Sequence, residues 1–175
     1  MSERLSIAGV LFHEFELLDL FGPLEMFGLL PEHFELCLVS EGGDTVASNQ
    51  GPVSVVDYGF QDSPQFDLLL VPGGRGTRRE VDNPVMLQWL QQQSQQARYV
   101  TSVCTGSALL ARAGLLDGRR ATTNKAAFAW VSSQGALVHW QKKARWVEED
   151  RFFTSSGVSA GMDMSLAVIA RLLGQ

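Results

Sequence analysis

Four short apolar runs recur along the chain and restrict its fold more than any other feature: "LSIAGVLF" (5–12), "FELCLVS" (34–40), "FDLLLVPGG" (66–74) and "RYVTSV" (98–103). The first is almost unbroken by polar residues, which is the pattern of a strand buried on both faces of a parallel sheet. Segments of helical period lie between the runs. "FGPLEMFGLL" (21–30) spaces its apolar residues for a helix face, with Pro23 in a first turn that needs no amide donor there. "NPVMLQWLQQQSQQA" (83–97) reads as an amphipathic helix begun by Asn83 and Pro84.

The intervening stretch "EGGDTVASNQGPVSVVD" (41–57) sets turn residues around two β-prone segments, which predicts a hairpin or irregular excursion. After residue 104 a helix ends at Gly114, a position suited to a left-handed cap. "RRATTN", a helix near 125–133, "ALVHW", "ARWVEED" with "RFFTSSG", and a last helix near 159–173 supply further elements. Strands alternating with helices predict an α/β fold of the doubly wound, flavodoxin-like kind: a three-layer α/β/α sandwich around a mostly parallel sheet. With 175 residues, 45% of them hydrophobic, and no repeat or linker, the chain reads as a single domain over 1–175.

Charge and cysteine usage narrow the partners. The formal net charge is -5 and the basic residues are scattered, so no footprint for nucleic acid is expected and a small-molecule substrate is. The N-terminal stretch has too few apolar residues before His13 and Glu14 for a signal peptide, and no run of about 18 apolar residues follows, so no membrane partner and a cytoplasmic location are expected. Cys37 and Cys104 form no C-x-x-C pair and there is no H-E-x-x-H, so neither a metal site nor a disulfide framework is expected.

In such sheets ligands bind beyond the carboxyl ends of the strands. Three features fall there: Asp19 in "LLDLFGPLEM", the glycine loop "VPGGRG" (71–76), and Cys104 in "VTSVCTGSALLARAGLL" (100–116). A cysteine between strand and helix has a physical logic, because the free amides at a helix start lower a thiol pKa from about 8.5 into the range of roughly 3.5–7.5. Gly106 would relieve crowding at the sharp turn that displays such a side chain. The residues alone leave open that Cys104 is a small buried hydrophobe, that Asp19 is a helix N-cap and that the glycines only turn the chain. Cys37, inside an apolar strand, reads as a core residue, and Glu25 as a solvated helix residue.

"LDLFGPLEMF", "VPGGRG", "RYVTSVCTGSALLARAGLLDGRRATT" and "SSGVSAGMD" together resemble the ThiJ/PfpI superfamily, a class I glutamine amidotransferase-like group, and within it the isocyanide (isonitrile) hydratase branch. The resemblance covers nearly the whole chain. It implies a flavodoxin-like sandwich, usually a homodimer, acting without a cofactor. It makes Cys104 the nucleophile at a strained elbow, Asp19 its acid–base partner, and the backbone of Gly74 and Thr105 oxyanion or substrate-binding donors. His13 and Asn124 are further candidates for the pocket wall, whereas His33 and His139 read as structural or solvated.

The chain also departs from its relatives. Protease-like members carry a histidine directly after the cysteine, where this chain has Thr105, which moves the search for a proton acceptor to Asp19. After "RRATT" the hydratase branch has a histidine and a tryptophan, whereas this chain reads "NKAAFAW" with Asn124 and Lys125. The chain given stops at "RLLGQ", before the further C-terminal segment of many relatives, and on that reading no helix-turn-helix module is expected after residue 175. Isocyanide hydration is therefore the leading expectation, beside a cysteine-based redox or stress sensor and a carbonyl-adduct hydrolase of the deglycase or glyoxalase kind.

Overall fold

The computed structural model describes residues 3–174; Met1, Ser2 and Gln175, the ends of the expected 1–175 unit, lie outside the described residues. In chain order the elements are β1 (Leu5–Leu11), α1 (Leu17–Gly28), β2 (Phe34–Ser40), β3 (Val46–Ala47), β4 (Val53–Ser54), β5 (Tyr58–Gly59) and β6 (Leu68–Val71). They continue with α2 (Thr77–Glu80), α3 (Pro84–Ser94), β7 (Tyr99–Val103), α4 (Gly106–Arg112), β8 (Arg120–Ala121), α5 (Phe128–Ser132), β9 (His139–Trp140), β10 (Trp146–Glu149), β11 (Phe152–Ser155) and α6 (Val158–Leu173).

Seven strands form the main sheet in the order β10-β11-β7-β6-β1-β2-β5. Every pairing in it is parallel except that of the edge strand β10 with β11. All four residues of β6 are buried, which requires cover on both faces of the sheet. Helix α1 packs on α6, and α3 packs on α4, supplying that cover. This is the flavodoxin-like α/β sandwich expected from the alternating pattern. The excursion at 41–57 contains the small antiparallel pair β3–β4, as the turn residues predicted.

Local rules explain several boundaries. The Asn83 side chain accepts the Val85 amide at 3.1 Å, so α3 starts with the N-cap and Pro at N1 that the sequence signalled. Helix α4 closes in a Schellman motif: Gly114 has φ +79°, its amide reaches the Ala111 carbonyl at 3.0 Å, and the Leu115 amide reaches Leu110 at 3.0 Å.

The expected helix at 21–30 is corrected at its start, because α1 begins at Leu17. Pro23 therefore lies inside the helix, not in its first turn, and the Asp19 carbonyl loses its usual i+4 amide donor. The N-cap is Glu16, so Asp19 is not the cap but a first-turn residue. The expected helix near 125–133 shortens to the five residues of α5, while α6 begins one residue earlier than expected.

Candidate active site

Strand β7 runs into Cys104, and the backbone there turns with φ +57°, a left-handed conformation that a non-glycine residue adopts only when the surroundings impose it. Those surroundings are hydrogen bonds on both sides of the residue. The Cys104 amide donates to the Ser155 carbonyl at 3.0 Å, and its carbonyl accepts from Thr123 Oγ1 at 2.9 Å. Close approach does the rest: a Cβ on Gly106 would stand 2.2 Å from the Val71 carbonyl oxygen. Gly106→Ala is thus expected to cost about 3 kcal/mol or more by overpacking against backbone, and to lower the melting temperature by roughly 10 °C in a thermal scan.

Asp19 faces this elbow from α1. It is fully buried; Oδ2 accepts the Gly73 amide at 3.1 Å, while Oδ1 has no hydrogen-bond partner. The neighbouring Cys104 thiol interacts with the carboxylate without satisfying Oδ1. Burial pushes Asp19 up to about 7, with Glu16 adding repulsion against the opposing pull of the Gly73 amide.

The thiol behaves otherwise than the helix-start argument predicts. Burial, followed by repulsion from Asp19, pushes Cys104 up to about 12, outweighing the Thr105 amide and the Asn124 side chain, which both favour the thiolate. Helix α4 has only seven residues, and the neighbouring carboxylate counters what its start contributes. Asp19 therefore loses its proton near 7 while the sulfur keeps its own to about 12, so between these values the pair retains one proton. When that proton sits on Asp19, the repulsion that disfavours the thiolate is gone.

The other expected residues divide. Asn124 lines the cavity; its Oδ1 accepts the Ala127 amide at 3.0 Å, which turns Nδ2 toward the sulfur. Thr105 is buried, and its hydroxyl ties the elbow to the glycine loop by accepting the Gly74 amide at 3.0 Å. The Gly74 amide is thereby engaged, which corrects its assignment as an open oxyanion donor, although Gly74 lines the cavity. His13 is corrected as well. It is exposed beside Glu14 at 3.7 Å and lines a different depression, with Ser40 and Glu41. His139 is exposed, and His33 is partly exposed beside Glu32 at 3.6 Å. Lys125 turns away to the Ala144 carbonyl, and Cys37 is packed in β2.

The cavity above Cys104 has a volume of about 410 Å³ and is open to solvent. Glu16, Asn49, Arg75 and Arg78 line it and went unread in the sequence. Glu16 lies three residues before Asp19, and the arginines lie three apart just after the glycine loop; these spacings were the available signals. The hairpin fastens the Glu16 corner: Gln50 Nε2 donates to Glu16 Oε1 at 2.6 Å, and Gln50 Oε1 accepts the Leu17 amide at 3.1 Å.

A mostly parallel sheet with a cysteine on a positive-φ strand-to-helix elbow and a buried carboxylate beside it defines a class of α/β proteins. The chain belongs to the DJ-1/PfpI family, whose model matches residues 5–171. It is 38% identical to the isonitrile hydratase of Pseudomonas putida over 170 residues, covering 97% of this chain and 73% of that protein. It is 34% identical to the HTH-type transcriptional regulator GbdR of Pseudomonas aeruginosa over 175 residues, 97% of this chain but only 47% of the regulator. A crystal structure of a ThiJ/PfpI family protein from Pseudomonas syringae superposes with a TM-score of 0.89 at 31% identity, covering 97% of this chain and 69% of that one. No helix among the described residues is long and apolar enough to cross a membrane.

Proposed function

We propose that the protein is a cysteine-dependent enzyme that hydrates small isocyanides to N-formamides. The observation that carries this reading is the buried Asp19 carboxyl, with Oδ1 unpartnered, beside Cys104 on a positive-φ elbow, both lining one open cavity. The 38% identity to an isonitrile hydratase supports the choice of reaction.

In this mechanism the proton retained by the pair passes from sulfur to Asp19, and the sulfur attacks the terminal carbon of R–NC. An S–C bond forms, and Asp19 delivers its proton to that carbon, giving a thioimidate, R–N=CH–S–Cys104. Asp19, now a carboxylate, takes a proton from water as the water oxygen bonds to the same carbon. Asp19 passes that proton to the nitrogen and then accepts the hydroxyl proton as the C=O forms; the C–S bond breaks, its electron pair returns to sulfur and R–NH–CHO leaves. The net change is addition of one water. A carboxylate poised near 7 serves both as acid and as base in the two halves. The Thr105 amide and Asn124 Nδ2 hold the charge on sulfur before attack and after expulsion.

The test is direct: the protein incubated with cyclohexyl isocyanide forms the matching formamide, followed by chromatography. A protein that binds the isocyanide but never releases formamide overturns the reading. That outcome would favour a ligand-sensing role instead, which the match of 97% of this chain to about half of a transcriptional regulator supports.

A further inference from the structure

The cavity carries two opposite electrostatic zones. Its floor holds Cys104 beside Asp19, with Glu16 nearby, so the acidic side chains of the cavity lie around the sulfur. Its rim holds Arg75 and Arg78, both exposed. Most other arginines of this acidic chain are neutralised. Among the described residues ion pairs engage Arg4, Arg79, Arg98, Arg112, Arg119, Arg120, Arg145 and Arg171, but neither rim arginine.

Arg78 is held in place. Its guanidinium carbon lies 4.1 Å from the ring centroid of Trp130, and Nη1 lies 3.5 Å from Thr77 Oγ1. Stacking fixes the plane of a guanidinium while leaving its edge donors free, the arrangement suited to planar recognition of a carboxylate. Neither arginine takes part in the proton transfers of the proposed reaction.

We propose that the substrate carries a carboxylate at the end remote from the carbon attacked by Cys104, and that Arg75 and Arg78 bind it at the rim. This rests on the reading of Cys104 as the nucleophile and adds the substrate class. Without the rim cations, an anionic molecule approaching this floor would meet only like charge. With them, the negative end stays at the mouth and the electrophilic end points inward.

Iodoacetate and iodoacetamide test this without relying on turnover, since they present the same electrophilic carbon with and without a carboxylate. With either reagent the Cys104 sulfur displaces iodide, forming an S–C bond as the C–I bond breaks and iodide leaves with its electron pair. The measured quantity is the ratio of the two labelling rates at Cys104, read by peptide mass and referred to the ratio for free cysteine. The wild-type ratio is expected to exceed that of free cysteine, to fall with added salt, and to drop about tenfold in Arg75→Gln/Arg78→Gln, as rim charges act mainly on encounter. The single variant Arg75→Gln, which leaves the Trp130 stack intact, should give part of that drop. Labelling at Cys104 by both reagents with ratios equal in wild type and variants overturns the carboxylate inference alone. Failure of both reagents to label Cys104 overturns the nucleophile reading and this inference together.

Discussion

Cys104→Ala is expected to lower formamide production by a factor of about 10⁴ or more, to the level left by binding and donor placement. Removing the sulfur removes the atom that would form the covalent intermediate of the proposed reaction, and no second thiol can replace it because Cys37 is packed in β2. Cys104→Gly should abolish turnover equally but differ in stability. Alanine keeps the cost of φ +57° at this position, whereas glycine adopts it freely. The glycine variant should therefore gain about 1 kcal/mol over the alanine variant, a melting difference of roughly 2–4 °C. Turnover persisting in either variant would remove Cys104 from the mechanism.

Asp19→Asn is expected to lower kcat by about 10²- to 10⁴-fold through loss of the proton donor and acceptor. The pH profile is the sharper readout. In the wild type, kcat/KM should rise as pH passes about 7, where the pair sheds the proton that opens the reactive form. In the variant this step disappears, and the first proton comes off sulfur at a higher pH. A profile unchanged by the substitution would exclude Asp19.

The same group links stability to pH. Its folded value of about 7 lies above the reference value of 3.8, so the native state binds more protons than the unfolded chain between these values. Stability from this group is fully present below about 4 and is lost as pH rises toward 7, on the order of 4 kcal/mol in all. Asp19→Asn escapes that loss and should melt higher than wild type at pH 8. The most stable variant would then be among the least active.

The central strands were legible because a parallel strand covered on both faces leaves a short apolar run bounded by turn residues. The caps at Asn83 and Gly114 were legible because each depends on one residue and its immediate neighbours. The start of α1 was not, since Pro23 looks like a first-turn marker whether or not a further turn precedes it. Helix α2 spans four residues, too few for any periodicity to show. At the site, the positions of Cys104, Asp19 and Asn124 followed from motifs. The sign of the thiol shift did not, because it is decided by burial and by a carboxylate 85 residues away, the separation of Asp19 from Cys104 in the chain. His13 misled for the same reason: nearness along the chain placed it beside Asp19, but two residues past the end of β1 it lines another depression.

The clasp between Gln50 and the start of α1 gives the β3–β4 hairpin a role unlike that of an ordinary surface excursion. One amide side chain satisfies both the Leu17 donor and the Glu16 carboxylate, so the loop works as a set screw on the first turn of α1. Shortening or shifting the loop would rotate that turn and with it the angle at which Asp19 meets the sulfur. If Asp19 is the acid–base group of the proposed reaction, its tuning would then be adjustable from a segment that supplies none of the reacting side chains.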